Sequence, residues 1–393
     1  MSQRIQGLDL ARGVALVGML AVHVFPTFDR DGSASLATQL ASGRSSAVFA
    51  LMAGVGLALV TGGRHRVEGP ELNRSAAAIA VRAGLIGVLG LLMGYVTAWG
   101  DLEVYVILPS YALMFLAVLP ALRLPATALF AVGGAVGLLA PILLRVIFAG
   151  DPGWDPASNP DPTLGDAVAH PIGVLVYLLV GGAFPVLIWV TFLLVGLGLG
   201  RLDLSSRRVA AWCIGAGSAL AVAAWTVSQI LLYPLGGLRE LRRAAPRRWS
   251  DERILWAPFP GELDTPWWYA LRAPHSDAPL AIVIAVGSAL AVFGVVLSIT
   301  RSGRLVGILA PLSAAGSMIL TLYCAHIVVL ATGLFEDHPG VQFVLLLAAM
   351  LAFATWWRPR HRRGPLETLI AIPVASVRRA MTSRTASTRV NPR

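Results

Sequence analysis

Apolar residues along this chain fall in blocks of about twenty separated by short polar stretches, instead of following the one-sided stripe of a soluble amphipathic helix. A block of ~20 residues at 1.5 Å per residue covers a ~30 Å hydrocarbon layer, so each block reads as a membrane-crossing helix. Ten are predicted: 8–28, 43–62, 76–98, 102–121, 125–148, 172–200, 208–233, 279–299, 311–332 and 341–358. The block 172–200 is too long for one straight helix. Gly181, Gly182 and Pro185 interrupt it, which predicts a short helix or re-entrant piece before a span beginning near Phe184, and allows a count of eleven. The expected fold is all-α, a polytopic transmembrane helical bundle.

The first block breaks its own pattern. Asp9, Arg12, Gly13 and His23 interrupt a run of Leu, Val, Ala and Met. At ~100° per residue, Arg12 and His23 point almost the same way, ~16 Å apart along the helix, with Asp9 one turn before Arg12. An ionisable group in a bilayer costs ~2.5–3.5 kcal/mol even on lenient insertion scales, so such groups face a cavity or partner helix and mark a candidate site.

Composition agrees with the membrane reading, since 56% of the residues are hydrophobic and only 13% charged. The net charge of +10 comes entirely from arginine, because Lys is absent. High Arg, Ala and Gly without Lys is what a GC-rich genome encodes, and it excludes lysine chemistry. Cys213 and Cys324 both fall inside blocks, where a thiol acts as a small hydrophobe, so no disulfide framework or thiolate metal site is expected. Nothing at the N-terminus reads as a cleavable signal, and the first block is expected to be a permanent anchor.

Loop charges predict the orientation. One set of loops carries Arg64, His65, Arg66 and Arg74, then Arg123, then Arg201, Arg207 and Arg208, then Arg301 and Arg304. The alternating set carries Asp29 and Asp31, Asp101 and Glu103, Asp151, Asp155, Asp161 and Asp166, and Glu336 and Asp337. The positive-inside rule makes the arginine-rich set cytoplasmic, with both termini inside and the protein multi-pass. The loop 234–278 dissents, being outward in this scheme yet carrying Arg239, Arg242, Arg243, Arg247 and Arg248. Its Trp249, Trp256, Trp267, Trp268 and Tyr269 suit either an interface belt or an aromatic lid over a sugar or anionic headgroup. The chain is therefore divided into a helical domain, 1–372, which includes that loop, and a basic cytoplasmic tail, 373–393, expected to be disordered. The basic segment from Arg358 to Arg379 suits anionic lipid headgroups, so the bilayer is a partner and nucleic acid is not.

Four groups of residues could carry chemistry. His23 can serve as a general base or acyl-accepting nucleophile, or simply bond a neighbouring helix. Asp9 and Arg12 are spaced to pair with each other, or Arg12 binds the phosphate or carbonyl of a donor with Asp9 orienting it. Gly43, Arg44, Ser45 and Ser46 open the second block, where helix-terminal N–H groups and an arginine can bind an anion; alternatively Ser45 caps the helix and Arg44 snorkels. Late in the chain stand Ser317, Thr321, Tyr323 and His326, the last at a depth comparable with His23, and His275 precedes the eighth block. No His-Glu-x-x-His motif is present and no metal is expected. Gly54 and Gly56 read as close helix contacts.

These residues, in this order, give the chain its resemblance to a known group. Leu8-Asp9, Arg12-Gly13, Met19 and His23 are followed by Gly43-Arg44-Ser45-Ser46 through Ala53-Gly54, Phe184-Pro185, Pro274-His275-Ser276, Leu320-Thr321-Leu322-Tyr323 with His326, and Gly364-Pro365-Leu366-Glu367. The pattern resembles the YeiB-like family of bacterial membrane proteins, within the transmembrane acyltransferases that include heparan-alpha-glucosaminide N-acetyltransferase and acyltransferase family 3. The resemblance implies an integral membrane enzyme moving an acyl group, commonly acetyl, from cytoplasmic acetyl-CoA or another acyl-CoA to a hydroxyl or amine of an outer-face glycan or lipid. It matches His23 and His326 to histidines of these families and implies them as catalytic; under that reading Arg12 and Asp9 are assigned to the donor, and Arg44, Ser45, Ser46, Tyr323 and His275 to the acceptor. The histidine held catalytic in the heparan enzyme lies in its first outer loop, and residues 29–42 here contain none. Two other classes fit the same polar face: a transporter or flippase of a lipid or small anion, and a non-enzymatic membrane partner protein, either of them compatible with a homo-oligomer.

Overall fold

The structure is a computed structural model that describes residues 3–102, 104–148, 160–257, 263 and 265–390. Glu103, Asp151 and Asp155 of the acidic loops lie outside the described residues. All regular elements among those described are helices, apart from one isolated bridge between Phe28 and Ala34. In chain order they are α1 (Gln3–Val24), α2 (Leu36–Ala41), α3 (Arg44–Val60), α4 (Gly69–Trp99), α5 (Leu108–Ala117), α6 (Ala126–Phe148), α7 (Leu164–Ala169), α8 (Pro171–Val180) and α9 (Val186–Gly200). They continue with α10 (Arg207–Leu232), α11 (Gly237–Ala244), α12 (Asp251–Trp256), α13 (Pro279–Ile299), α14 (Gly303–Ile308), α15 (Ala310–Gly316), α16 (Ile319–Leu330), α17 (Pro339–Trp357) and α18 (Pro365–Val390).

Seven of these are long and apolar enough to cross a membrane: α1, α2 with α3, α4, α6, α10, α13 and α17. An eighth is obtained if α15 and α16, bent by 86° at their junction, form one broken span. The ten expected blocks are all helical, but three of them are built differently from a simple span. The 172–200 block divides at Gly181–Pro185 into α8 and α9, as its glycines and proline predict, with Gly182 at φ 66°. The 102–121 block yields only the ten-residue α5, entered by non-helical backbone. The 311–332 block breaks at Ser317 and Met318, which periodicity alone does not reveal. Where a disordered tail is expected, α18 runs as helix to Val390.

α9 sits at the centre. It is apolar on every side and buried along nearly its whole length, as a helix hydrophobic all round should be. Inside a bilayer the lipid is as apolar as leucine, so helices are held by close packing and hydrogen bonds more than by hydrophobic transfer. Gly54 of α3 and Gly196 of α9 show this: a Cβ on Gly54 would strike Leu193 O, and one on Gly196 would strike Leu51 O. The two backbones therefore touch, as the small residues at 54 predict. Gly13 and Gly316 do the same for α1 and α15, where added Cβ atoms would strike Leu312 O and Asp9 O.

Non-helical backbone at depth needs partners. The segment entering α5 has buried Val104, Val106 and Ile107, and its amides are taken up by side chains: Val106 N–H donates to Asp161 Oδ1 at 2.7 Å and Ile107 N–H to the Tyr323 hydroxyl at 3.3 Å. Burial pushes the Asp161 carboxyl up to about 7. At the opposite end, the buried Arg201 donates to Thr61 O, Gly63 O, Thr61 Oγ1 and Leu122 O at 2.9–3.1 Å, tying the end of α9 to the end of α3. The carbonyls of a helix's last turn lack intrahelical donors, and Arg201 supplies them.

The 234–278 loop is folded. Leu232, Leu241, Ile254, Leu255, Leu263, Trp268 and Leu271 make a second apolar cluster of their own. Arg145 of α6 anchors it, donating to Leu263 O at 2.6 Å with its guanidinium 4.6 Å from the Trp268 ring centre. Several of the arginines that dissent from the charge pattern are used locally, Arg242 pairing with Asp251 and Arg243 with Glu240 at 2.6 Å.

Candidate functional site

α1 carries its polar face the length of the bundle. His23 lies at the end that also holds the 234–278 loop, and Asp9 and Arg12 lie toward the end holding residues 61–68 and 201–206. Gly43, beside the last turn of α1, packs on Pro274 and His275, which puts the loop and His23 together.

His23 meets His326. His23 Nδ1 is 2.9 Å from His326 Nε2, the rings are within 6° of parallel, and their centroids are 5.2 Å apart. That separation at so short a nitrogen contact means the rings meet edge to edge, with the hydrogen bond lying in both planes. His326 Nδ1 is 3.3 Å from Leu322 O. A carbonyl only accepts, so Nδ1 of His326 carries the proton and Nε2 accepts from Nδ1–H of His23. In this assignment, made from the hydrogen-bond network, Nε2 of His23 holds a lone pair and has no partner among the described residues. His326 is buried, and His23 as a residue is half-buried. The 86° break between α15 and α16 sets the direction of α16 and thereby aims His326 at α1.

Tyr323, one turn earlier, is buried with its ring edge-on to His326 at 5.3 Å. Its hydroxyl serves Ile107 N–H, so its contact in the structure is with backbone. His275 lies within electrostatic range of His23. It stacks on Trp189 at 5.6 Å and 12°, bonds Ala183 O through Nδ1 at 3.0 Å, and takes φ 52°, a conformation a side chain rarely adopts and tertiary packing must hold. Asp277, at φ 54°, accepts from Trp189 Nε1 at 3.0 Å. Burial moves His275 down to about 4 and Asp277 up to about 8, so both are neutral near pH 7.

Arg44 begins α3 and lies at the wall of a pocket with Arg272, Trp256 and His275. The residue before α3 is Gly43 at φ 68°, and no side chain caps the helix, so Ser45 is not the cap. Ser45 is buried against Gly18 of α1 instead, and Ser46 follows it in the first turn.

At the other end, Asp9 is buried and forms its ion pair with Arg358 at 3.3 Å, in place of the expected pairing with Arg12. Arg12 reaches across to α3, Nη2 lying 3.5 Å from Met52 O. Gly56 leaves it room, because a Cβ there would sit 2.9 Å from Nη2. Arg12 and Arg82 of α4 share one electrostatic neighbourhood with Tyr111, Glu367 and Arg363. Arg82 falls mid-way along the 31-residue apolar α4, with part of its surface left uncovered by the protein. It was legible: an arginine inside an apolar block is itself the signal.

Glu367 has no such signal. From the first turn of α18, its Oε1 accepts from Leu320 N–H at 2.7 Å and Thr321 N–H at 3.3 Å, and its Oε2 from Thr321 Oγ1 at 2.6 Å. It is the N-cap of α16, supplied by a different helix. The carboxylate therefore fixes the start of the helix that carries Tyr323 and His326. Among the described residues, no three His, Cys, Asp or Glu side chains converge as a metal's ligands would.

No curated protein matches the chain in a sequence search. A family model does: the one described as heparan-alpha-glucosaminide N-acetyltransferase, catalytic, matches residues 4–233. The match takes in Asp9, Arg12, His23, Arg44 and Arg82, with His275 and His326 beyond it. Since the matched stretch is more than half of the 393 residues, the chain belongs to the family of heparan-alpha-glucosaminide N-acetyltransferase catalytic domains.

Proposed function

We propose that this protein is a YeiB-like integral membrane acyltransferase that moves an acyl group, acetyl in the simplest case, from a cytoplasmic acyl-CoA to a hydroxyl or amine of an outer-face glycan or lipid. The observation that carries the reading is the hydrogen-bonded chain from Leu322 O through His326 to His23, which leaves Nε2 of His23 with its lone pair unused. The arginines at the far end of the same helix face support it. Arg12 and Arg82 suit the phosphates of the donor, whose pantetheine arm then lies along α1 toward His23.

In this scheme Nε2 of His23 takes the proton of the acceptor's hydroxyl or amine as that atom attacks the thioester carbonyl. The imidazolium is stabilised by His326, whose Nε2 accepts from it. The C–S bond breaks, the acyl group stays on the acceptor, and the thiolate of coenzyme A leaves with the proton returned by His23. The proposed orientation places both termini and the Arg12 end in the cytoplasm, on the loop-charge pattern.

The test is release of thiol from labelled acetyl-CoA by the purified protein in nanodiscs, with a glycan acceptor mixture present. Loss of the activity in His23→Ala, with folding intact, is the expected result. Thiol release unaffected by His23→Ala overturns the role of His23. Saturable flux of a lipid or anion without any acyl-CoA overturns the enzyme reading in favour of a transporter.

A further inference from the structure

The pocket beside His275 has a composition the catalytic dyad does not explain. Its cavity is small, about 30 Å³, room for a water-sized group or an oxyanion, and it is lined by Ser42, Gly43, Arg44, Trp256, Arg272 and His275 among others. Two guanidiniums face each other's charge there. Arg44 spends one donor on Gln39 O. Arg272 lies between Trp225 and Trp256, 5.8 Å from each ring centre, and its Nε and Nη1 are fully buried with no hydrogen-bond partner among the described residues. Tyr233 bonds its remaining side, and Glu252, which is exposed, is the acid in its surroundings. Two cationic donors buried without acceptors are costly unless something supplies the oxygens.

The third contribution is backbone. α3 is seventeen residues long and begins at this pocket with no side-chain cap, so the N–H groups of Arg44, Ser45 and Ser46 are not taken up by another described residue. Those amides and the positive end of the helix favour an anion at the same place as the arginines. Asp277, the carboxyl in the pocket wall, is buried against Trp189 and carries no charge near pH 7, so no described residue of the lining neutralises the arginines. Trp256 adds an apolar ring to the lining.

We propose that this pocket binds the acceptor through an oxyanion group, a carboxylate, phosphate or sulfate carried on a sugar ring, held by Arg44, Arg272 and the first amides of α3. The word acceptor rests on the acyl-transfer reading above, and His275, which lines the pocket and lies within electrostatic range of His23, is the link between the two sites. A neutral sugar of the same size leaves the buried guanidinium donors unpaired and binds more weakly.

The experiment titrates the intrinsic tryptophan fluorescence of the full-length protein, in phosphatidylcholine nanodiscs, with glucuronate, glucose 6-phosphate and glucose. The two anionic sugars are expected to bind at least about tenfold more tightly than glucose, the size of one charge-assisted hydrogen bond. Arg272→Gln and Arg44→Gln each weaken the anionic sugars by about tenfold, and Arg239→Gln in the same loop leaves them unchanged. Glucose binding as tightly as glucuronate, or Arg44→Gln binding glucuronate like the unmodified protein, overturns the proposal. Repeating the titration in nanodiscs containing phosphatidylglycerol separates the sources: competition assigns the oxyanion to a lipid headgroup, and its absence to a soluble glycan. If charge-selective binding persists while no thiol is ever released from acetyl-CoA, acyl transfer falls and the pocket stands. If transfer proceeds as readily to neutral as to anionic glycosides, the pocket falls and acyl transfer stands.

Discussion

His23 Nδ1 lies 2.9 Å from His326 Nε2, joining the first helix to the second half of a broken span across 303 positions of sequence. The two rings are not equivalent. His326 is held by Leu322 O and is buried, so it orients; His23 presents the lone pair. Replacing His23 by Ala is expected to lower acyl transfer by ~10²–10⁴-fold, the usual worth of a general base, with little change in thermal stability. His326→Ala lowers it less and shifts the pH–rate profile, because the remaining imidazole loses its tautomer partner. His326→Gln, whose amide oxygen can accept from His23, recovers part of the loss. A pH–rate profile of His326→Ala identical to that of the unmodified protein removes His326 from the site.

Arg12 and Arg82 predict a separable donor effect. Neutralising either to Gln is expected to raise the KM for acyl-CoA by about tenfold while kcat changes little, since phosphate contacts far from the reacting carbonyl contribute uniform binding. The double variant probes whether both touch the same phosphates. Steady-state kinetics with dephosphorylated analogues checks this: an analogue lacking the group bound by Arg82 shows no further penalty in Arg82→Gln.

Glu367 acts at a distance from the chemistry. Its carboxylate caps α16, so Glu367→Ala leaves the amides of Leu320 and Thr321 unpaired in the bundle and is expected to cost ~1–2 kcal/mol of stability. Because α16 also aims His326, kcat falls with KM for the donor little changed. Glu367→Gln keeps an acceptor oxygen and restores most of the activity. Thermal unfolding in detergent alongside kinetics resolves the two effects.

The loop acids give a pH dependence with a definite sign. Asp277 is raised from 3.8 to about 8 by burial and Asp161 from 3.8 to about 7, so between those limits the folded state keeps a proton that the unfolded state has lost. Stability from these groups therefore falls as pH rises, for Asp161 until about 7 and for Asp277 until about 8. His275, lowered from 6.5 to about 4, acts oppositely, its contribution rising with pH across that window and then staying level. Between pH 7 and 8 only Asp277 of the three still acts. Asp277→Asn is expected to flatten the decline there by about 2 °C in Tm per pH unit. A melting series from pH 5 to 9 measures it.

Arg201 tests the packing of the non-loop end. Its guanidinium satisfies carbonyls from α3 and from Leu122, so Arg201→Met strands several buried acceptors and is expected to destabilise by ~3 kcal/mol. Detergent melting curves read this directly, and a loss below 1 kcal/mol shows that water replaces the arginine.

Much of this protein was determined along the chain. Hydrophobic blocks of membrane length, the interruption at Gly181, Gly182 and Pro185, and the ladder of Asp9, Arg12 and His23 on one helix face are local properties, since each depends on residues within a few turns of one another. Only the tertiary structure decided which groups meet. Asp9 pairs with Arg358 instead of Arg12, Tyr323 serves a backbone amide of the α5 approach, and α16 owes its cap to Glu367 from another helix. In each case the partner lies tens to hundreds of residues away, and buried polar groups choose it by geometry. Periodicity records which face of a helix is polar; it carries no information about the helix on the other side.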